Sequence, residues 1–104
     1  MTETADVTVP ALVALTALPG AMFWRQNTGT FRTMDGKRVV KVSADGIADI
    51  MGCYCGKAVA VETKTESGSL LPSQKRFRKA WLRSGGVYII ALSAQSAVEQ
   101  VTAL

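Results

Sequence analysis

Apolar positions recur along this chain with different spacings, and each spacing predicts a different element. From Thr8 to Leu18 nearly every residue is apolar. Asp6 or Thr8 can cap the run, Pro10 fits a first helical turn, and Pro19-Gly20 ends it, so a helix is expected over residues 8–18. A helix apolar on most sides is either buried or shared with a partner subunit. Residues 21–25 read as a short strand and Gln26-Asn27-Thr28-Gly29-Thr30 as turn chemistry. Asp35-Gly36 and Asp45-Gly46 mark two further turns, on either side of a strand expected over 38–43. Alternation then returns in 47–51 and 58–64, joined by the glycine-rich stretch 52–56, which is the pattern of a hairpin. Residues 72–84 form the clearest helix, opening on Pro72 and closing at Gly85-Gly86. A buried strand over 87–91 and an amphipathic helix over 93–103 follow. The expected order is helix, several strands, helix, strand, helix, in one domain over 1–104 of α/β (α+β) class.

Composition narrows the chemistry. No histidine occurs, which removes imidazole bases, Ser-His-Asp and Cys-His catalysis, and His-ligated metal sites. The two cysteines, Cys53 and Cys55, lie on the expected hairpin turn, and with no second pair they cannot close a zinc site. They are expected to be reduced thiols without a chemical role. Catalysis here must therefore run on carboxylates, lysine and a hard cation. No apolar run approaches the ~20 residues of a membrane span, and the first residues lack the basic flank of a secretion signal. A cytoplasmic protein with no membrane partner is the expectation. The chain carries 12 basic and 8 acidic residues, and every Lys and Arg falls between Arg25 and Arg83. A basic middle favours a polyanionic partner, although a solvated basic face accounts for such a charge just as simply.

Strand alternation puts Ala58, Ala60, Glu62 and Lys64 on one face of the expected strand, so Glu62 and Lys64 sit side by side near its end. Such a pair is either a structural ion pair or part of a centre that holds a metal and a water. Asp49, bracketed by Ile47, Ala48, Ile50 and Met51, is an unusual residue for a strand. A register with Met51 opposite Ala60 turns Asp49 and Glu62 to the same side, where two carboxylates repel unless a cation lies between them. Mg²⁺, with Mn²⁺ as a substitute, fits carboxylate and carbonyl oxygens, and the Thr63 backbone carbonyl is a further candidate ligand. Lys64 would then polarise the attacking water or offset charge on a phosphate. On the helix after the loop, ~100° spacing makes Phe77, Ala80 and Trp81 the buried stripe with Gln74 on its edge. Gln74 thus points inward, to bond backbone, Lys64 or the water, while Lys75, Arg76, Lys79 and Arg83 point away.

Gly46-Ile-Ala-Asp49-Ile, Val59-Ala-Val-Glu62-Thr-Lys64, Leu71-Pro-Ser-Gln74 and Gly85-Gly86 before a strand, in that order, resemble the VRR-NUC (virus-type replication-repair nuclease) family of the PD-(D/E)xK superfamily. Trp24-Arg25-Gln-Asn27-Thr-Gly29 resembles its Arg-x-Asn-x-Gly segment, and the likeness covers roughly residues 6 to 91. The resemblance implies a restriction-endonuclease-like core, a central mixed β-sheet flanked by helices in α-β-β-β-α-β order. It also implies metal ligands at Asp49 and Glu62, a lysine assisting the nucleophile at Lys64, and a supporting glutamine at Gln74. Members usually carry a metal-binding glutamate on the first helix, and here that helix offers Asp6, with Glu3 beyond it. Small members resemble structure-specific endonucleases acting on branched DNA such as four-way (Holliday) junctions. A domain this small needs two sites to cut two strands, so a homodimer through the apolar first helix is expected. Arg25, Asn27, Arg32, Lys37, Arg38, Lys75, Arg76 and Lys79 are the expected DNA contacts, binding phosphates without reading sequence. No aromatic-interleaved platform for base reading is visible. Two rivals stand beside this reading: a catalytically silent nucleic-acid-binding module, and a nuclease of restriction type or directed at RNA.

Overall fold

The computed structural model describes residues 3–26, 29–42, 44–66 and 68–104. These form a mixed α+β fold with a four-stranded mixed sheet in the order β1-β4-β5-β6 and a separate two-stranded sheet, β2-β3. The strands are β1 (Ala21–Arg25), β2 (Gly29–Arg32), β3 (Val39–Val42), β4 (Ile50–Tyr54), β5 (Lys57–Thr63) and β6 (Val87–Ala91). The helices are α1 (Val9–Thr16), α2 (Pro72–Arg83) and α3 (Ala94–Thr102), with a π-helical segment, Thr4–Thr8, leading into α1. β1 runs antiparallel to β4 and β4 to β5, whereas β5 and β6 are parallel with α2 as their crossover.

The first helix differs from expectation in its entry. The ring of Pro10 crowds the carbonyl four residues back and offers it no N–H. The preceding turn is wider, and the Val9 N–H donates to the carbonyl of Thr4, five residues back. Val7 and Thr8 face inward from this turn while Asp6 is exposed. Gly29 and Thr30, expected within a turn, begin β2 instead and pair with β3. The hairpin of β4 and β5 is longer and tighter than its glycines suggested. Met51 does face Ala60, but pairing continues to Tyr54 and Lys57, so the turn is only Cys55-Gly56. Both turn residues have positive φ, 48° and 84°, the backbone that matches the strand twist in two-residue hairpins. Cys53 accordingly lies on a strand and Cys55 on the turn, both as exposed thiols.

Alternation sorts the core onto two faces. Phe23, Ile50, Val59, Val61, Ile89 and Ala91 pack against Ala11 and Leu15 of α1 and Ala97 and Val101 of α3. On the opposite face Ala48, Met51 and Ala60 meet Phe77 and Trp81 of α2 and Tyr88 of β6. Phe77 and Trp81 stack at 5.7 Å between centroids. Ala80, expected in this buried stripe, is exposed, because α2 lies over β5 and β6 and nothing among the described residues covers its other flank. The helix ends as its glycines predict: the Gly85 and Gly86 N–H groups donate to the carbonyls of Leu82 and Trp81. No helix among the described residues is long and apolar enough to cross a membrane.

Candidate functional site

Polar side chains gather where the turn before β4, the end of β5, the first turn of α2 and the π-helical segment meet. Gly46 makes this junction possible. It has φ +73°, and a Cβ there would lie 2.2 Å from the carbonyl oxygen of Ser73, so the loop carrying Asp49 can lie against the start of α2 only with glycine at that point.

Glu62 is 1% exposed, on the face of β5 that α2 covers. Its Oε2 accepts from Gln74 Nε2 at 3.0 Å and lies 3.6 Å from Lys64 Nζ. Lys64 Nζ in turn donates to Gln74 Oε1 at 3.1 Å. The same Gln74 oxygen accepts from the backbone N–H of Leu71 at 2.8 Å, a reach back across the first turn that ties the helix end to the triangle. Glu62 Oε1, equally buried, has no hydrogen-bond partner among the described residues. Burial, and after it the negative charge of Asp49, push the Glu62 carboxyl up to about 8, against the pull of Lys64 and with a smaller push from Glu3.

Asp49 stands one residue before β4 and extends its ladder, since its carbonyl accepts from the Gln26 N–H at 2.8 Å. Its Oδ2 accepts from the Thr63 N–H at 3.0 Å and from the Thr63 hydroxyl at 2.8 Å. The Thr63 hydroxyl also meets the hydroxyl of buried Thr8, which lies 3.5 Å from the Glu3 carbonyl oxygen and joins the π-helical segment to the end of β5. That contact brings in Glu3. One carboxylate oxygen each from Glu3, Asp49 and Glu62 lie within 4.8 Å of one another. Glu3, Asp49 and Glu62 would be the groups to hold a hard divalent cation, drawing closer together around the positive charge it would supply. The donor set fits a hard divalent ion: it is all oxygen, it contains like charges that repel when empty, and Glu62 Oε1 has lone pairs to give.

The chain therefore brings together Asp49, Glu62, Lys64 and Gln74, with Thr63 beside them at the last position of β5. Asp6 does not join. The wide turn leaves it exposed, and Glu3 takes the acidic position that Asp6 was expected to fill. Arg25, Arg32, Lys37, Arg38, Lys75, Arg76 and Lys79 are all exposed, and Arg32 donates to the carbonyl of Gly36 at 3.2 Å. Asn27 lies outside the described residues. Thr8, expected as a helix cap, makes no capping hydrogen bond; its hydroxyl instead meets that of Thr63, 55 residues away, a contact the sequence does not signal. Nor does it single out Tyr88, whose buried hydroxyl lacks a partner among the described residues. Burial and the charge of Glu62 hold that hydroxyl above its ordinary pKa, opposed by Arg78, whose guanidinium lies 5.8 Å from the ring centroid.

The chain matches no model of a known protein family and no curated protein.

Proposed function

We propose that this protein is a divalent-cation-dependent DNA endonuclease with a PD-(D/E)xK-type core, as the resemblance to the VRR-NUC family implies. We take its substrate to be branched DNA such as four-way junctions and its working form to be a homodimer. One observation carries the reading: the carboxylates of Glu3, Asp49 and Glu62 converge beside a lysine that is itself held by Gln74. A salt bridge needs one acid for one base. Three carboxyl groups share one lysine, and burial with the charge of Asp49 holds the proton on Glu62 up to about 8, so a cation would supply the balance that lets all three ionise.

In this reading Glu3, Asp49 and Glu62 hold Mg²⁺, and Thr63 keeps Asp49 oriented through its N–H and hydroxyl. Bound Mg²⁺ supplies a Lewis acid that eases ionisation of water and offsets the charge of a phosphodiester. Lys64 keeps a fixed positive charge at the mouth of the site, 11% exposed, where charge develops on the phosphate during attack. Gln74 keeps that lysine from collapsing fully onto Glu62 by accepting a hydrogen bond from it through Oε1 and donating to the carboxylate through Nε2. Hydrolysis consumes one water, breaks one P–O bond, and leaves a phosphate monoester and a hydroxyl. The five basic residues of α2, unaccompanied by any acid on that helix, favour phosphate binding nearby. The apolar outer side of α1, with Val13 65% exposed, suits a subunit contact.

The deciding experiment incubates four-way, flap and linear DNA with wild type and Lys64→Ala, in Mg²⁺ or in chelator. Cleavage is expected only with Mg²⁺, and at least ~100-fold slower in the variant. Equal cleavage by both proteins, or cleavage in chelator, would overturn the mechanism. Metal-independent binding without any cleavage would identify a silent binding module.

A further inference from the structure

We infer that Trp24 is a stacking site for one unpaired DNA base beside the carboxylates, so that the site prefers a strand with an unpaired nucleotide over a continuous duplex. This deepens the nuclease reading and rests on it. Phe23 of β1 is buried under α1, so Met22 and Trp24 face the other way, onto the α2 side of the sheet. There they are 70% and 45% exposed, because α2 covers β5 and β6 and leaves β1 open. Cys53, Ala58 and Ala80 are exposed as well. The sheet face between Trp24 with Met22 and α2 is thus uncovered among the described residues.

Register sets the distance from this aromatic to the chemistry. Trp24 pairs with Met51, and the Gln26 N–H reaches the carbonyl of Asp49, so Trp24 and Asp49 are diagonal neighbours on one face. Diagonal neighbours lie ~7–8 Å apart, about the span of a single nucleotide. The indole N–H donates to Gln26 Oε1 at 3.1 Å, which orients the ring along the row that leads to Asp49. Charge favours a nucleic-acid occupant over an apolar one. Arg78 of α2 lies over Tyr88 of β6, and at ~100° per residue Arg76 falls on the far side of the helix from it, where it is exposed. α2, on the same side of the sheet as Trp24, carries five basic residues and no acid. An aromatic face close to cations is the usual means of holding a single strand without reading its sequence.

The test is binding in chelator, where nothing is cut. Fluorescein-labelled linear duplex is compared with the same duplex bearing a flap of five thymidines, and 2-aminopurine at the first unpaired position reports stacking. Wild type should prefer the flap and quench the 2-aminopurine. Trp24→Ala should bind the flap about tenfold more weakly, bind the duplex nearly unchanged, and lose the quenching. Trp24→Phe should keep most of both signals, whereas Trp24→Leu, apolar but without a π face, should behave like alanine. Equal losses on both DNAs, or none, would overturn the inference. So would conversion of a dimer to a monomer by Trp24→Ala, which would show that a second copy covers this face. Wild type that binds neither DNA overturns the nuclease reading along with this one. If wild type binds flap and duplex alike and Trp24→Ala is no weaker, only the stacking site fails.

Discussion

Between the sheet and the helices α1 and α3, ten buried apolar side chains among the described residues close the core. On the face under α2 the buried apolar residues among those described are only Ala48, Met51 and Ala60, and beside them lie Glu62, Lys64 and Gln74. One sheet thus carries two kinds of surface. The first is a packed interior, where burial stabilises the fold at about 25 cal/mol per Å² of apolar area. The second uses the same loss of solvent on a charged group, where it acts against stability and toward chemistry: Glu62 is held above its ordinary pKa because water is excluded and Asp49 is near. Substitutions on the two faces should therefore change stability with opposite sign.

The largest expected effect lies on the closed face. Leu15 is fully buried between the sheet and α3, and Leu15→Ala should cost about 3 kcal/mol, read as a fall in the denaturant midpoint. Mn²⁺ binding per folded molecule should be unchanged. A loss of metal affinity matching the loss of stability would show that the two faces are coupled and do not act as separate surfaces.

Glu62→Gln should act the other way. In the unfolded chain this carboxyl ionises near 4.5, while in the folded chain it keeps its proton to about 8. Between those values folding takes up a proton, so stability falls as pH rises from about 4.5 to about 8 and levels off above. Removing the charge should flatten that slope. In chelator at pH 8 the variant should melt higher than wild type, by about 5 °C if ~1 kcal/mol is relieved. Mn²⁺ binding should be lost. For wild type, affinity should rise with pH up to about 8, because the ion displaces a proton. A melting temperature of wild type that does not change between pH 5 and 8 would contradict the buried-acid account.

The same contrast explains what could be read from the sequence. Period-two alternation placed Glu62 and Lys64 on one face of β5, and helical spacing turned Gln74 inward, since both depend on residues close in the chain. The strand at 87–91 and the glycine stop of α2 were legible for the same reason. Glu3 was not, because its place depends on the widened turn before Pro10 and on Thr8 meeting Thr63 across 55 residues. Ala80 was misjudged because periodicity identifies the stripe that meets a sheet, not how far the covering helix extends over it. The β2-β3 pairing was missed because glycine and threonine at its start resemble a turn, and only a partner strand reveals them as paired.

The smallest expected effect separates two atoms that look alike. Glu62 Oε1 and Tyr88 Oη are both buried under α2 without a hydrogen-bond partner among the described residues, and a polar atom in that state is a cost to the fold. For Glu62 the cost leaves lone pairs for a cation. For Tyr88 the ring already has its role, tilted against Phe77 at 6.4 Å and covered by Arg78, and that role does not use the hydroxyl. Tyr88→Phe keeps the ring and removes the orphan, so it should raise stability by about 0.5–1 kcal/mol and leave Mn²⁺ affinity within twofold of wild type. The two substitutions thus share a rise in melting temperature and differ in metal binding. A fall in melting temperature in Tyr88→Phe would mean that the hydroxyl is satisfied in solution. A large loss of Mn²⁺ affinity would move Tyr88 from the packing of this face into its chemistry.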